Sequence, residues 1–201
     1  MEGPPITVSG FIMANHGREN GVTSGRQVGY FCHLRIDEKH MGAVLVTNQI
    51  GIPLEFKYTE PVTATKLHRI LYGSVLERYL HETVIRDRLA RELRSEPDYF
   101  ITPYDERDFL GALAGREMMA IQEIKNPGDA SGSFTRVRDR EVMIELEDGP
   151  TLRLAFSTSD DPVQRSMVTW LQEVGRTMDV VEPIKRMAAA LKTLCGEEKR
   201  A

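Results

Sequence analysis

Residues 41–59 place the strongest constraint on how this chain can fold. The run from Ala43 to Val46 is continuously apolar, which is typical of a strand buried on both faces of a sheet. After an Asn-Gln-Ile-Gly turn, apolar and polar residues alternate from position 52 to position 58, as in a strand with one face in a core. The pattern predicts a β-hairpin whose second strand lies nearer a sheet edge, because Pro53 cannot donate a backbone hydrogen bond.

Similar patterns along the rest of the chain predict an α+β fold. A leucine stripe from Leu67 to Leu93, interrupted near Gly73, predicts a long amphipathic helix over one face of the sheet. Two later apolar stripes predict a C-terminal helical hairpin. We expect a mainly antiparallel sheet of about seven strands, and the strand patterns lie at residues 6–14, 28–36, 41–58, 99–102, 118–125 and 142–156.

Residues 126–133, Asn-Pro-Gly-Asp-Ala-Ser-Gly-Ser, form the clearest break in the chain. A segment of this composition is either a long hairpin loop or a linker between domains. We predict a single domain over residues 1–201, because the strands after the break continue the sheet pattern. The alternative is a sheet-and-helix domain at residues 1–125, followed by a β-hairpin and two helices at residues 134–201.

The composition is that of an ordinary globular protein and narrows the choice of partners. Of 201 residues, 41% are hydrophobic and 28% are charged. The formal net charge of −4 gives no general reason to expect nucleic-acid binding. The N-terminus lacks a signal-peptide pattern, and no apolar run approaches the roughly 18 residues of a membrane span. We therefore predict a cytoplasmic protein with no membrane partner, in which Cys32 and Cys195 are reduced.

The polar residues carry no established metal or nucleophile motif. The five histidines include no His-Glu-x-x-His pattern, and no Gly-x-Ser-x-Gly elbow is present. His33 and His40 could meet across the turn that contains Asp37 and Glu38, but we interpret this segment as a polar turn. The sequence therefore predicts neither a metal site nor a cofactor.

Two short segments have the pattern of a nuclease active site. Pro97-Asp98 and Glu123-Ile124-Lys125 together resemble the motif of the PD-(D/E)xK nucleases. The resemblance implies that Asp98 and Glu123 bind Mg²⁺ and that Lys125 orients or activates the attacking water. It covers five residues and departs from the family's arrangement, because a helix-like segment at residues 107–115 separates two strands that should pair directly.

The second strand of the opening hairpin is the candidate binding surface. An edge strand with outward Glu55 and Lys57 could pair with a peptide strand from a partner, or the charges could simply protect the edge. The candidate binding residues are Ile52, Leu54, Glu55, Lys57, Tyr58 and Arg69. The methionines of the C-terminal helices (Met167, Met178 and Met187) offer a second surface, unless they belong to the core.

These observations lead to one functional hypothesis and one alternative. The first is a non-catalytic cytoplasmic protein that acts through protein–protein contacts, as a subunit, adaptor, regulator or homo-oligomer, with no nucleic-acid partner expected. Its basis is the absence of a catalytic signature. The alternative is a metal-dependent nuclease of the PD-(D/E)xK type.

Overall fold

A computed structural model describes residues 7–12, 26–125, 134–147 and 149–197. These residues form a ten-stranded mixed sheet with helices on both faces. The ten strands are, in chain order, Val8–Ile12 (β1), Gln27–Ile36 (β2), Lys39–Asn48 (β3), Pro53–Thr59 (β4), Val62–Thr63 (β5), Tyr99–Pro103 (β6), Met118–Ile124 (β7), Phe134–Arg138 (β8), Glu141–Glu145 (β9) and Thr151–Phe156 (β10).

The sheet is mixed because its centre is parallel. Its strand order is β1-β4-β3-β2-β6-β7-β10-β9-β8, with β5 beside β3. β6 runs parallel to both β2 and β7, while the outer pairs are antiparallel. The prediction of a mainly antiparallel sheet of about seven strands is therefore wrong, although the broader α+β prediction is confirmed. The helical stretch between β5 and β6 is a crossover connection, which is what parallel pairing requires.

The crossover helix changes its winding several times. It comprises Lys66–Tyr72 (α1), a 3₁₀ turn at Gly73–Val75, Leu76–Tyr79 (α2), a π-helical segment at Leu80–Arg86 and Asp87–Glu92 (α3). The C-terminal helical hairpin consists of Asp161–Gly175 (α4) and Glu182–Glu197 (α5). None of the helices in the described part of the chain is long and apolar enough to cross a membrane.

The two helical units cover opposite faces of the sheet, because successive side chains of a strand point to opposite sides. On β2, Tyr30 and Cys32 join the larger core formed with α4 and α5. Phe31 joins a smaller core with Ile85 and Leu89 of the crossover helix. We call these sides the C-terminal face and the crossover face. Cys195 lies in the larger core, and both cysteines are buried and free of disulfides.

The predicted edge strand is an interior strand. β4 pairs with β3 on one side and with β1 on the other, so its backbone is not free to bind a partner strand. Glu55 is fully buried rather than outward, and its carboxylate accepts hydrogen bonds from the backbone N–H groups of Arg94 and Ser95 just after α3. Strand addition at β4 is therefore excluded by β1.

The remaining candidate binding residues are scattered. Leu54, Lys57 and Tyr58 are half-buried within the sheet, whereas Ile52 is exposed before β4. Arg69 is on α1, where it forms an exposed ion pair with Glu38. They do not form one surface.

Two other predicted features, the methionines of the C-terminal helices and the break at residues 126–133, can be compared with the structure. Met167 and Met187 are buried in the larger core, and Met178 packs against it. Residues 126–133 lie outside the described residues, but β7 and β10, on either side of them, pair in the same sheet.

Candidate functional site

Four polar side chains from four separate segments converge on the crossover face. His33 is on β2, and His40 is on β3 just after the turn between these two strands. His81 is in the π-helical segment. Glu106 belongs to a 3₁₀ segment, Tyr104–Phe109, that follows β6 directly. We call these four residues the His–Glu cluster.

Glu106 connects three of these segments. Its Oε1 accepts a hydrogen bond from the backbone N–H of His33 at 2.7 Å, and its Oε2 lies 2.6 Å from Nε2 of His81. Both Glu106 and His81 are buried, at 8% and 2% exposure. The carboxylate thus fixes the crossover helix against β2.

The two histidines of the β2–β3 turn stack on each other. Nε2 of His33 lies 3.1 Å from Nδ1 of His40, and the ring planes are 20° apart. His33 is only partly buried, so it is the side of the cluster that reaches solvent. From the sequence, we noted that His33 and His40 could meet and interpreted the segment as a polar turn. That interpretation did not include His81 and Glu106, which come from distant segments.

Close packing brings His81 down onto the sheet. Gly42, which pairs with His33 in the β2–β3 register, faces the π-helical segment. A Cβ atom at position 42 would lie 2.2 Å from Cγ2 of Ile85, so only glycine permits this approach. Phe109 stacks on the His81 ring with centroids 4.5 Å apart. Short π-helical insertions are frequent at functional sites.

The cluster lies where the connections of the sheet diverge. β2 and β6 are neighbouring parallel strands, but the chain continues from β2 to β3 on one side and from β6 to β7 on the other. His33 is in the carboxyl-terminal half of β2, and Glu106 follows the carboxyl end of β6. In open α/β sheets, ligands bind outside the carboxyl ends of strands at such a switch point. The topology therefore marks this cluster as the candidate site.

Burial sets the protonation behaviour of the cluster. It lowers the pKa of His33 from 6.5 to about 3, with further lowering from the nearby His81, His40 and Arg35. Burial also lowers the pKa of His40. It raises the pKa of the Glu106 carboxyl, partly offset by the hydrogen bond from His81. His33 is therefore neutral at physiological pH, as a proton acceptor or a metal ligand must be.

Three members of the cluster could hold a metal ion. One ligand atom from each of His33, His81 and Glu106 lies within 4.8 Å of the others. Two imidazoles and one carboxylate form a donor set found at catalytic metal sites with open positions. The sequence offered no signal for this set, because the residues are 48 and 25 positions apart and match no motif.

The residues of the predicted PD-(D/E)xK motif are not brought together. Asp98 precedes the first residue of β6, where its carboxylate accepts a hydrogen bond from Nε1 of Trp170. Glu123 is near the far end of β7. In the parallel β6–β7 register, Phe100 is level with Met118, so Asp98 is level with position 116. Glu123 is seven residues further along the chain than that level, which corresponds to about 23 Å.

That separation has a topological cause. The motif requires its two strands to pair directly as a hairpin, whereas β6 and β7 are parallel and joined by a connection that includes Tyr104–Phe109. Lys125 follows the end of β7 and is therefore also remote from Asp98. A shared metal site needs oxygen ligands within about 2.0–2.6 Å of the ion, so Asp98, Glu123 and Lys125 cannot form one.

Comparison with known proteins identifies the fold through structure rather than sequence. No protein-family model matches the chain, and no curated protein matches it by sequence. The chain is similar in structure to human endonuclease V, with a TM-score of 0.58 and 11% identity over 88% of this chain and 87% of that one. It is also similar to endonuclease V from Ciona intestinalis in complex with an inosine-containing DNA, with a TM-score of 0.53 and 13% identity over 89% of both chains.

A bacterial protein has the same architecture. Endonuclease V from Bacillus subtilis gives a TM-score of 0.50 and 12% identity over 87% of this chain and 83% of that one. At these identities the comparison establishes a shared fold.

The comparison overturns two expectations from the sequence. The matched proteins are endonucleases, and two of the matched structures contain DNA. The hypothesis of a non-catalytic interaction protein is therefore wrong, as is the expectation against a nucleic-acid partner. The hypothesis of a non-catalytic protein rested on the absence of known sequence motifs. The side chains of the His–Glu cluster belong to distant segments, so no linear motif could reveal them.

Proposed function

We propose that this chain is a nuclease that hydrolyses phosphodiester bonds in DNA, with the His–Glu cluster as its reacting centre. The observation that carries the proposal is the endonuclease V fold, shared over nearly nine-tenths of both chains. The position of the cluster at the switch point between β2 and β6 supports it. The nuclease alternative is thus retained as a class, with different residues from those of the PD-(D/E)xK motif.

The groups in the cluster suit phosphodiester hydrolysis. The reaction needs a group that removes a proton from the attacking water, or a metal ion that lowers the pKa of that water. His33 is neutral and partly exposed. His81 and Glu106 are held by their mutual contact of 2.6 Å, which gives them a defined orientation.

Two arginines near the cluster can contact phosphate groups. Arg35 is two residues after His33 on the same side of β2, and Arg78 lies over the Phe109 ring at 5.6 Å. Their side chains are 47% and 57% exposed and paired with Glu77 and Glu82. Exposed ion pairs of this kind are weak, so the arginines can exchange their partners for DNA phosphates, which position a duplex without reading its sequence.

The test is cleavage of labelled oligonucleotides by the purified full-length protein. Unmodified DNA, inosine-containing DNA and matched RNA are each incubated with Mg²⁺, Mn²⁺ or Zn²⁺, and products are resolved on denaturing gels. We expect cleavage of DNA, and a decrease of about 10²–10⁴-fold in rate for Glu106→Gln, the range typical of a lost acid–base group.

His68→Gln provides the matched control. His68 is on α1, where its ring contacts Tyr72 and accepts a hydrogen bond from the backbone N–H of Thr65 as part of a capping box. Glutamine preserves such a cap, so this variant should cleave like the wild type. Equal cleavage by wild type and Glu106→Gln would reject the assigned centre, and the absence of cleavage of every substrate would reject the nuclease proposal.

A further inference from the structure

We propose that His33, His81 and Glu106 form a three-ligand site for one divalent transition-metal ion, for which Zn²⁺ is the probe. The catalytic role of the ion rests on the proposed nuclease function. Binding itself rests on the geometry of the cluster.

The three ligands need only a small rearrangement to bind. Their nearest ligand atoms lie within 4.8 Å of one another. Tetrahedral binding at about 2.1 Å places ligand atoms about 3.4 Å apart. The widest pair must therefore close by about 1.4 Å at most, while the His81–Glu106 hydrogen bond of 2.6 Å opens into two metal bonds. Movements of this size lie within the reach of side-chain rotation.

Only one of the two ring nitrogens of His81 has a hydrogen-bond partner among the described residues, and that nitrogen is Nε2, which contacts Glu106. Nδ1 of His81 is buried and has no hydrogen-bond partner among the described residues. A buried polar atom without a partner requires an explanation, and a bound ion or water nearby is one such explanation. Rotation of the ring exchanges its two nitrogens, so either nitrogen can face the metal, and a water is then the partner that the other nitrogen requires.

The buried Glu106 carboxylate also favours a cation. Glu106 is a nearly fully buried acid whose neighbours in the cluster are imidazoles rather than lysine or arginine. A buried carboxylate is costly unless a positive charge compensates it. A divalent ion supplies that charge and keeps the carboxylate ionised.

The donor atoms select the type of metal. Mg²⁺ and Ca²⁺ take oxygen ligands almost exclusively, whereas imidazole suits Zn²⁺, Fe²⁺, Co²⁺ and Ni²⁺. With two imidazoles among three ligands, we expect Zn²⁺ to bind much more tightly than Mg²⁺. Three protein ligands also leave an open position for water, as in catalytic zinc sites.

His40 is the positioning residue for this site. Its Nδ1 lies 3.1 Å from Nε2 of His33, so an Nε2–H on His33 can donate to it and leave Nδ1 of His33 for the metal. Ring N–H donation of this kind fixes the orientation of metal-binding histidines, and its loss typically weakens affinity by about 10–100-fold.

The experiment is titration of the chelator-treated full-length protein with Zn²⁺ and separately with Mg²⁺, followed by calorimetry. Co²⁺ substitution adds a visible spectrum that reports ligand number. We expect one Zn²⁺ per chain and, for the direct ligands in Glu106→Gln and His81→Gln, a larger decrease in affinity than the roughly 10–100-fold that is typical of outer partners. A smaller decrease is expected for His40→Gln, and no change for His68→Gln. Circular dichroism establishes that each variant is folded.

The outcomes separate the metal site from the nuclease proposal. Zn²⁺ binding that is unchanged in Glu106→Gln and His81→Gln, or that is absent in the wild type, overturns the metal site even if DNA is cleaved. Zn²⁺ binding that follows the predicted order, with no cleavage of any substrate, supports the site and overturns the nuclease function. Equal affinity for Mg²⁺ and Zn²⁺ overturns the assignment to imidazole ligands.

Discussion

The two faces of the sheet bury very different side chains. On the C-terminal face, β2 contributes Tyr30 and Cys32 to a large core with Trp170 and Leu171 of α4. On the crossover face, the same strand contributes Phe31 and His33, and the apolar core is smaller. The buried acidic and basic side chains of the described residues all belong to the crossover side, and they are His40, Glu55, His81 and Glu106.

This difference shows how one sheet can combine stability with a polar site. Burial of apolar area contributes about 25 cal/mol per Å², whereas buried ionisable groups contribute little net stability and are costly when a partner is lost. The larger apolar core supports the fold, so the crossover face can hold a polar cluster. We therefore expect mutations on the two faces to affect different properties.

The largest expected effect is the loss of stability from Leu171→Ala. Leu171 is fully buried in the larger core, and such truncations cost about 2–5 kcal/mol because a cavity remains. Chemical denaturation measures the loss. The Zn²⁺ affinity of the folded variant should match that of the wild type, and a decrease in that affinity would show that the two faces are not independent.

The next effect is on the pH dependence of stability. The pKa of His33 is about 3 in the folded protein and 6.5 in its unperturbed state. Between these values the unfolded chain binds more protons, so stability falls as the pH falls from 6.5 towards 3. The contribution of one such group is at most about 1.4 kcal/mol per pH unit. We expect His33→Gln to lose less stability than the wild type between pH 7 and pH 4.5, in denaturation curves recorded with chelator.

Two neighbours of His33 shape the wild-type curve as well. The lowered pKa of His40 acts in the same direction. The raised pKa of Glu106 acts in the opposite direction, since its contribution is present below pH 4.5 and is lost as the pH rises through its folded-state value. The difference between wild type and His33→Gln reports the titration of His33 together with its interaction with His81 and His40, and parallel curves for the two proteins would contradict the assigned shift. His68→Gln is again the matched control.

The sequence predicted local structure on both faces better than it predicted topology. Alternation located β2 and β4, a continuous apolar run located β3, and apolar stripes located the helices, because these patterns reflect contacts of each element with its core. Parallel pairing of β2 with β6 depends on the connection at residues 37–98, which contains three strands as well as the crossover helix, and the periodicity of each element carries no information about that pairing. The helix between two strand patterns was the available signal, since strand–helix–strand order favours parallel neighbours.

The candidate site was less predictable for the same reason. His33 and His40 are close in sequence, and their meeting across the β2–β3 turn could be anticipated. His81 and Glu106 join them only through the crossover and the β2–β6 pairing. The prediction that β4 is an edge strand was wrong for a similar reason, because β1, the first described strand, pairs with it. Pairing between strands that are distant in sequence therefore determines which strand edges are accessible and which side chains come together.

The smallest expected effect is at the start of the crossover helix, where the side chains contribute to neither core. α1 has no buried residue, and the Leu67 side chain is 60% exposed. Leu67→Ala should therefore change the free energy of unfolding by less than about 0.5 kcal/mol, as for most surface substitutions. Denaturation at two protein concentrations measures it. A loss above about 1 kcal/mol that grows with concentration would contradict the prediction, because it would mean that self-association covers α1. The free energy lost on truncating Leu67 would then depend on how far an assembly buries it. The crossover face would in that case hold an apolar contact surface in addition to its polar cluster.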